Sequence, residues 1–217
     1  MLQDICMIGY ISSHDYFTEY LLNSTKDLIR PTDIYIKDDS IIAKLFTNKS
    51  NRCSIDSCKK RKLNYYKTKL TLLKNKYKLF MITESDCHFF HNMEGWNELF
   101  RYIQNSPKQT FFMKDDISNN IHTSFFIIKD TFVDVFVNYI KKDLLNDSNE
   151  LMSENLIMNK AKTDFNYDFI PSKFIIWGNK CTVLCRNSYI IHHIVIANTN
   201  LENHKKQING IERFMKN

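Results

Sequence analysis

Tyr77-Lys78-Leu79-Phe80-Met81-Ile82-Thr83-Glu84-Ser85-Asp86-Cys87-His88-Phe89-Phe90 is the stretch on which the fold turns. Tyr77 to Thr83 reads as a continuous apolar run, as expected of a parallel strand covered on both faces. It stops abruptly at Glu84-Ser85-Asp86. Ligands of an open parallel sheet bind beyond the carboxyl ends of its strands, and Glu84 and Asp86 fall at that edge. Two carboxylates two residues apart can turn toward one hard cation, Mg²⁺ or Mn²⁺, which keeps open positions for the oxygens of a diphosphate. An isolated acidic-x-acidic triplet more often just ends a strand. Here it follows a long apolar run that is itself preceded by a basic helix.

Working outward, Ile5 to Ser12 reads as a strand, and Tyr16 to Ile29 as a helix with Phe17, Tyr20, Leu21, Thr25 and Leu28 near a 3.6-residue repeat. Pro31 ends it, and Asp33 to Lys37 alternates like a second strand closed by Asp38-Asp39-Ser40. That succession is a βαβ unit with a right-handed crossover. Residues 41–57 carry little information. Lys59 to Lys76 is a basic amphipathic helix with Leu63, Tyr66, Leu70 and Leu73 on one face and Lys60, Lys62, Lys67, Lys69 and Lys74 largely outside it.

Downstream, the patterns predict a helix over Trp96 to Ile103, strands over Gln109 to Lys114 and Thr123 to Lys129, and helices over Phe132 to Leu145 and Leu151 to Lys160. Strands follow at Phe174 to Trp177 and Cys181 to Cys185. Alternating helices and strands imply an α/β fold. No internal repeat and no Pro-, Gly- or Ser-rich linker divides residues 1–217, so a single domain is expected.

Composition narrows the class further. A chain of 217 residues can bury a sizeable core without disulfides. The six cysteines are scattered, several in apolar runs such as Ile5-Cys6-Met7, and read as reduced. No basic, then apolar leader opens the chain and no window of about 18 uncharged apolar residues occurs, which predicts a cytoplasmic protein without a membrane span. A net charge of +6 suits a phosphate-bearing ligand, and equally a solvated surface. Few Gly, Pro and Ala beside abundant Asn, Lys and Ile resemble translation of an AT-rich genome, as in some large DNA viruses and protists.

The segment Leu79 to Phe90 resembles the metal-binding segment of the nucleotide-diphospho-sugar transferases of the GT-A fold, whose triplet is usually Asp-x-Asp at the end of such a strand. Glu84 stands for the first Asp and Asp86 matches the residue that usually meets the metal. Asn120-Ile121-His122-Thr123-Ser124-Phe125 is similar to the family's Asn-Thr-Gly-Phe strand, with Ser124 in place of Gly. Ser153-Glu154-Asn155-Leu156-Ile157-Met158-Asn159 resembles its Asp-Gln-x-x-x-Asn helix start. The run Ile190-Ile191-His192-His193-Ile194, followed later by Lys205-Lys206, is similar to the closing segment that supplies a metal-binding His and a diphosphate-binding Lys.

This resemblance, over about residues 77 to 206, implies a GT-A-like open mixed sheet, mainly parallel and flanked by helices, with a Rossmann-like nucleotide-binding half. It implies a viral-type glycosyltransferase that uses Mn²⁺ or Mg²⁺ and a nucleotide-diphosphate sugar, with a glycan, protein or small molecule as acceptor. The metal would be held by Glu84, Asp86 and His193. The nucleotide would lie near Tyr10, Ser12 and Asp38, its diphosphate near Lys205, the donor sugar against Asn120 and Glu154. Glu154 would position or deprotonate the acceptor hydroxyl.

Other patterns compete. In a strand His192 and His193 face opposite sides, so only one can reach a metal. Cys87, His88 and His91 match no standard zinc spacing, and Cys181 and Cys185 stand about 13 Å apart in a strand, too far to share one ion. The basic helix with Tyr65, Tyr66 and Tyr77 has three readings: a nucleic-acid surface, a solvated face, or the source of a lysine for the diphosphate. The alternative function is a non-catalytic binding protein, either a nucleic-acid module or a decayed transferase. Nucleic acid gives no reason for an acidic pair at a strand end.

Overall fold

The computed structural model describes residues 2–11, 21–39, 52–84, 87–114, 120–145, 153–177 and 189–193, with 206, 209, 210 and 213. Strands β1 (Ile5–Ile11), β2 (Ile34–Asp38), β3 (Leu79–Thr83), β5 (Thr110–Lys114), β6 (Ile121–Lys129) and β7 (Tyr167–Phe169) form one sheet in the order β2-β1-β3-β6-β5-β7. β2, β1 and β3 pair in parallel, as do β5 and β7, whereas β6 is antiparallel to both its neighbours. Five strands therefore run one way and β6 alone runs back. The amino end of β6 thereby reaches the same edge as the carboxyl ends of the other five.

All seven residues of β1 and all five of β3 are buried, and neither strand carries a charge. Their side chains divide by parity, as alternation across a pleated strand requires. Ile5, Met7 and Ile11 with Leu79 and Met81 join Phe111, Phe125 and Ile127 on one face, under Trp96, Leu99, Phe100 and Ile103 of helix α2 (Met93–Asn105). Cys6, Ile8 and Tyr10 with Phe80 and Ile82 join Phe112, Phe126 and Ile128 on the other. That second face is covered by α1 (Arg52–Leu73), α3 (Val133–Leu145) and α4 (Ser153–Asp164). Gly9 lies where β1 meets β2 closely: a Cβ there would stand 3.0 Å from Ile36 Cγ1.

A small second sheet, in the order β4-β9-β8, is built from β4 (Cys87–Phe89), β9 (Ile191–His193) and β8 (Ile175–Trp177). The sequence pattern gave Cys87 to Phe89 no strand, because three residues are too few for a readable alternation. The Asn92 side chain fixes this layer twice. Its Oδ1 accepts from the Gly95 N–H at 3.1 Å to cap α2, and its Nδ2 donates to the Tyr189 carbonyl at 3.0 Å. Trp96 Nε1 donates to the Phe90 carbonyl at 3.0 Å.

Helix α1 starts at Arg52 and ends at Leu73, with Asn75 in the left-handed region (φ 64°) just beyond it. Leu63, Tyr66, Leu70 and Leu73 face the sheet as the pattern requires. Lys62 does not follow the expectation. It is 5% exposed, on the buried side of the helix, because it lies four residues before Tyr66 and so on the same face. Cys6 and Cys87 are buried free thiols, and burial pushes the Cys6 thiol up to about 12. Cys181 to Cys185 and residues 12–20 and 40–51 lie outside the described residues. Among the described residues no helix is long and apolar enough to cross a membrane.

Two outcomes follow for stability. Phe126 is 1% exposed, stacked on Phe112 at 5.1 Å and tilted against Phe136 at 5.9 Å; Phe126→Ala is expected to cost about 3–5 kcal/mol by urea denaturation. The Asp33 carboxyl, for which burial acts upward, is held below the usual range because hydrogen bonds from Tyr77 at 2.8 Å and Arg30 at 2.7 Å outweigh burial. A depressed native pKa contributes stability above the unfolded value of about 3.9 and loses it as pH falls through the native value. Asp33→Asn is expected to flatten that acid limb, read from urea midpoints across that range.

Candidate functional site

The carboxyl ends of β2, β1 and β3 come out side by side: Ile11 pairs with Asp38, and Gly9 with Thr83. At and just past them stand Asp38, the last residue of β2, then Asp39 and Glu84. Asp38 is exposed, and Asp39 is buried, its backbone N–H donating to the Ile11 carbonyl at 2.8 Å. The Asp39 carboxylate accepts a hydrogen bond from the Tyr10 hydroxyl, and Lys37 Nζ and Arg61 Nε each stand 3.6 Å from it. Tyr10 is itself enclosed, its ring 5.9 Å from that of Tyr65 and 6.5 Å from that of Tyr66. Burial, with nearby Cys6 and Tyr35, pushes the Tyr65 hydroxyl up to about 12.

Sequence reasoning named Asp38 and passed over Asp39. The missed signal is alternation. Tyr35 packs in the α1-side core while Ile34 and Ile36 pack against the opposite one, so extending the pattern puts Asp39 with Tyr35, toward Tyr10 and the helix.

Glu84 sits one position past the fully buried Thr83. Its backbone N–H donates to the Ser124 carbonyl at 2.8 Å, and its carboxylate accepts a hydrogen bond from the Lys62 ammonium. Ser124 belongs to an irregularity in β6. Pairing with β5 jumps from Phe112↔Phe126 to Met113↔His122, so Thr123, Ser124 and Phe125 bulge away from β5. On the other side β6 stays registered with β3 through Thr83↔Phe125. Bulges of this kind re-aim a strand beside a site. This one holds the chain of Glu84 in place.

Of the remaining resemblance-based candidates, Asn120 is described in full and Glu154 and His193 by their backbone. Asn120 precedes β6 at the shared edge and its Oδ1 accepts from Lys162 Nζ at 3.0 Å. Glu154 opens α4, whose other end carries Lys162, so roughly 12 Å of helical rise lie between Glu154 and the turn that meets Asn120. His193 is in β9, its backbone registered with Cys87, the residue after Asp86. The side chains of Glu154 and His193, and Ser12, Asp86 and Lys205 as a whole, lie outside what is described. His88 is buried against Phe90, ring centroids 5.1 Å apart, as a packing residue would be.

The basic helix spends several of its lysines within the fold. Lys62 meets Glu84, Lys69 lies 4.9 Å over the Tyr35 ring and 5.8 Å over that of Tyr65, and Lys74 pairs with Asp134. Two clefts of 480 and 570 Å³ open at the opposite, amino edge of the sheet, around Asp4, Lys78 and Leu79. They lie at the other end of β3 from Glu84, and the second is lined by Asp4 and Asp130 together with Lys78 and Lys129.

No protein-family model matches this sequence, and no curated protein matches it. Solved structures do match. A glycosyltransferase involved in glycosylation of the major capsid of PBCV-1 superposes with a TM-score of 0.57 at 10% identity, over 96% of this chain and 99% of that one. Mouse xyloside xylosyltransferase 1 gives 0.52 at 8% identity, over 90% and 99%. The bifunctional glycosyltransferase WbbM gives 0.55 at 10% identity over all of this chain and 52% of its own length, so the chain spans about half of it. The chain has the fold of these glycosyltransferases.

The Tyr10–Asp39 contact is testable as the structural anchor of the edge. Removing a hydroxyl donor from a buried carboxylate is expected to cost about 1.5–3 kcal/mol, so Tyr10→Phe should lower the urea midpoint correspondingly.

Proposed function

We propose that the chain transfers a sugar from a nucleoside-diphosphate donor to an acceptor hydroxyl, at the carboxyl edge of β1, β2 and β3. The observation that carries this reading is the convergence there of Asp39, Arg61, Lys62 and Glu84 on three adjacent parallel strand ends, within a glycosyltransferase fold.

The residues divide the work by their chemistry. Arg61 and Lys62, adjacent on α1, bring two cations to the edge where an anionic diphosphate would lie. The Tyr10–Asp39 pair closes the floor between β1 and β2, and in this reading Asp38, exposed at the strand end, meets the nucleoside. Asn120, at the amino end of β6, faces the donor sugar in this reading. Glu154, at the start of α4, orients or deprotonates the acceptor hydroxyl.

A divalent cation, Mn²⁺ or Mg²⁺, fits part of the donor set. A carboxylate from Asp86 and an imidazole from His193 suit Mn²⁺, and the backbone register of Cys87 with His193 brings their chain positions together. Glu84 fits less well, since its carboxylate already holds an ammonium. Among the described residues no three His, Cys, Asp or Glu side chains gather into a metal site. When bound, the cation would neutralise charge developing on the departing nucleoside diphosphate. Lys205 is assigned to the same diphosphate.

Isothermal titration with UDP and GDP, with and without Mn²⁺, tests the reading. Metal-enhanced binding of one of them is expected, and Asp86→Ala should lose the enhancement. Salt-sensitive binding of DNA or RNA that is indifferent to Asp86→Ala would favour a nucleic-acid module instead.

A further inference from the structure

We propose that Lys62 is the resident cation on Glu84, so that Glu84 does not ligate a divalent ion but presents the Lys62 ammonium to the donor's diphosphate. The proposal rests on the functional reading above and changes the job of one carboxylate within it.

The pair is enclosed. The Lys62 side chain is 7% exposed and that of Glu84 is 22% exposed. Leu63, next in α1, and Tyr66, one turn on, are both buried, so apolar side chains flank the lysine stem. Pulling an ammonium off its carboxylate in such surroundings leaves a buried charge uncompensated, which is far costlier than keeping the pair. A second, doubly charged cation on the same carboxylate would stand within a few ångströms of that ammonium and be repelled by it.

Neither partner is loosely placed. The backbone of Glu84 is fixed by the Ser124 carbonyl in the β6 bulge and follows the fully buried Thr83. Lys62 is fixed by the packing of α1 on β1, where Leu63, Tyr66 and Leu70 enter the core with Ile8 and Tyr10. The preceding residue, Arg61, reaches toward Asp39. Two consecutive helical residues thus serve two carboxylates on β2 and β3, strands separated by β1 and so roughly 10 Å apart. A diphosphate lying across the end of β1 meets one cation on each side.

The assignment separates two affinities that a metal-ligating Glu84 would link. Titrations use Mn²⁺ alone, UDP or GDP alone, and the two together, with bound Mn²⁺ also counted by electron paramagnetic resonance. Glu84→Gln is expected to leave Mn²⁺ affinity in the presence of nucleotide within about threefold of wild type, whereas Asp86→Ala abolishes it. Lys62→Met is expected to weaken metal-free nucleotide binding by about tenfold, and Lys62→Arg to restore most of it. The double variant Lys62→Met/Glu84→Gln removes both charges of this pair together, so it supplies the same nucleotide measurement should Lys62→Met not fold. Loss of Mn²⁺ binding in Glu84→Gln, or unchanged metal-free nucleotide affinity in either Lys62→Met background, overturns the assignment while leaving the transferase reading intact. Failure of the wild-type protein to bind UDP or GDP under any condition sinks both.

Discussion

The burial of β3 on both faces is the constraint from which the site descends. Five apolar or uncharged residues in a row satisfy their backbone through β1 and β6 and their side chains through helices above and below. Nothing charged can enter that layer without a partner. The first ionisable residue, Glu84, is therefore expelled to the rim, where β1 also ends. The helix that seals one face then carries its cations to Asp39 and Glu84. Site and core are thus two consequences of one packing requirement, and the antiparallel β6 contributes because its reversed direction brings Asn120 and the Thr123–Phe125 bulge to the rim as well.

How legible this was in the sequence varies with the kind of information each feature needs. β1, β2, β3 and the core face of α1 were readable because their signals are local: continuous apolar runs for doubly covered strands, and a 3.6-residue repeat for the helix. The mixed, mainly parallel sheet followed from the alternation of elements together with the resemblance of Leu79 to Phe90. Strand β4 was not readable, since Cys87 to Phe89 is a strand only because Ile191 to His193 pairs with it. The β6 bulge is equally invisible, being defined by what β5 does opposite it.

The site shows the same division. Glu84 was located because a strand end is a local event. Its partner Lys62 was assigned to the solvent side, although its spacing from Tyr66 and Leu70 placed it on the apolar stripe. A lysine on such a stripe signals either a snorkelling stem or a buried pair, and only the tertiary position of Glu84 decides between them. Asp39 was overshadowed by Asp38 because two adjacent aspartates look alike until strand alternation is extended one residue past the strand. The relation between Glu154 and Asn120 depends on how α4 lies along β6, which no local pattern records.

The pairing of β4 with β9 has a temporal consequence. Cys87 leaves the ribosome about 100 residues before His193, and at typical elongation rates of about 5–20 residues per second the delay is roughly 5–20 s. The central strands β1, β2, β3, β5 and β6 can meet during that interval, since all are synthesised before residue 130. The rim beside the acidic tip has to wait for its last strand. A nascent chain would thus own a folded central sheet before it owned a closed wall, and a prematurely terminated one would keep the sheet alone.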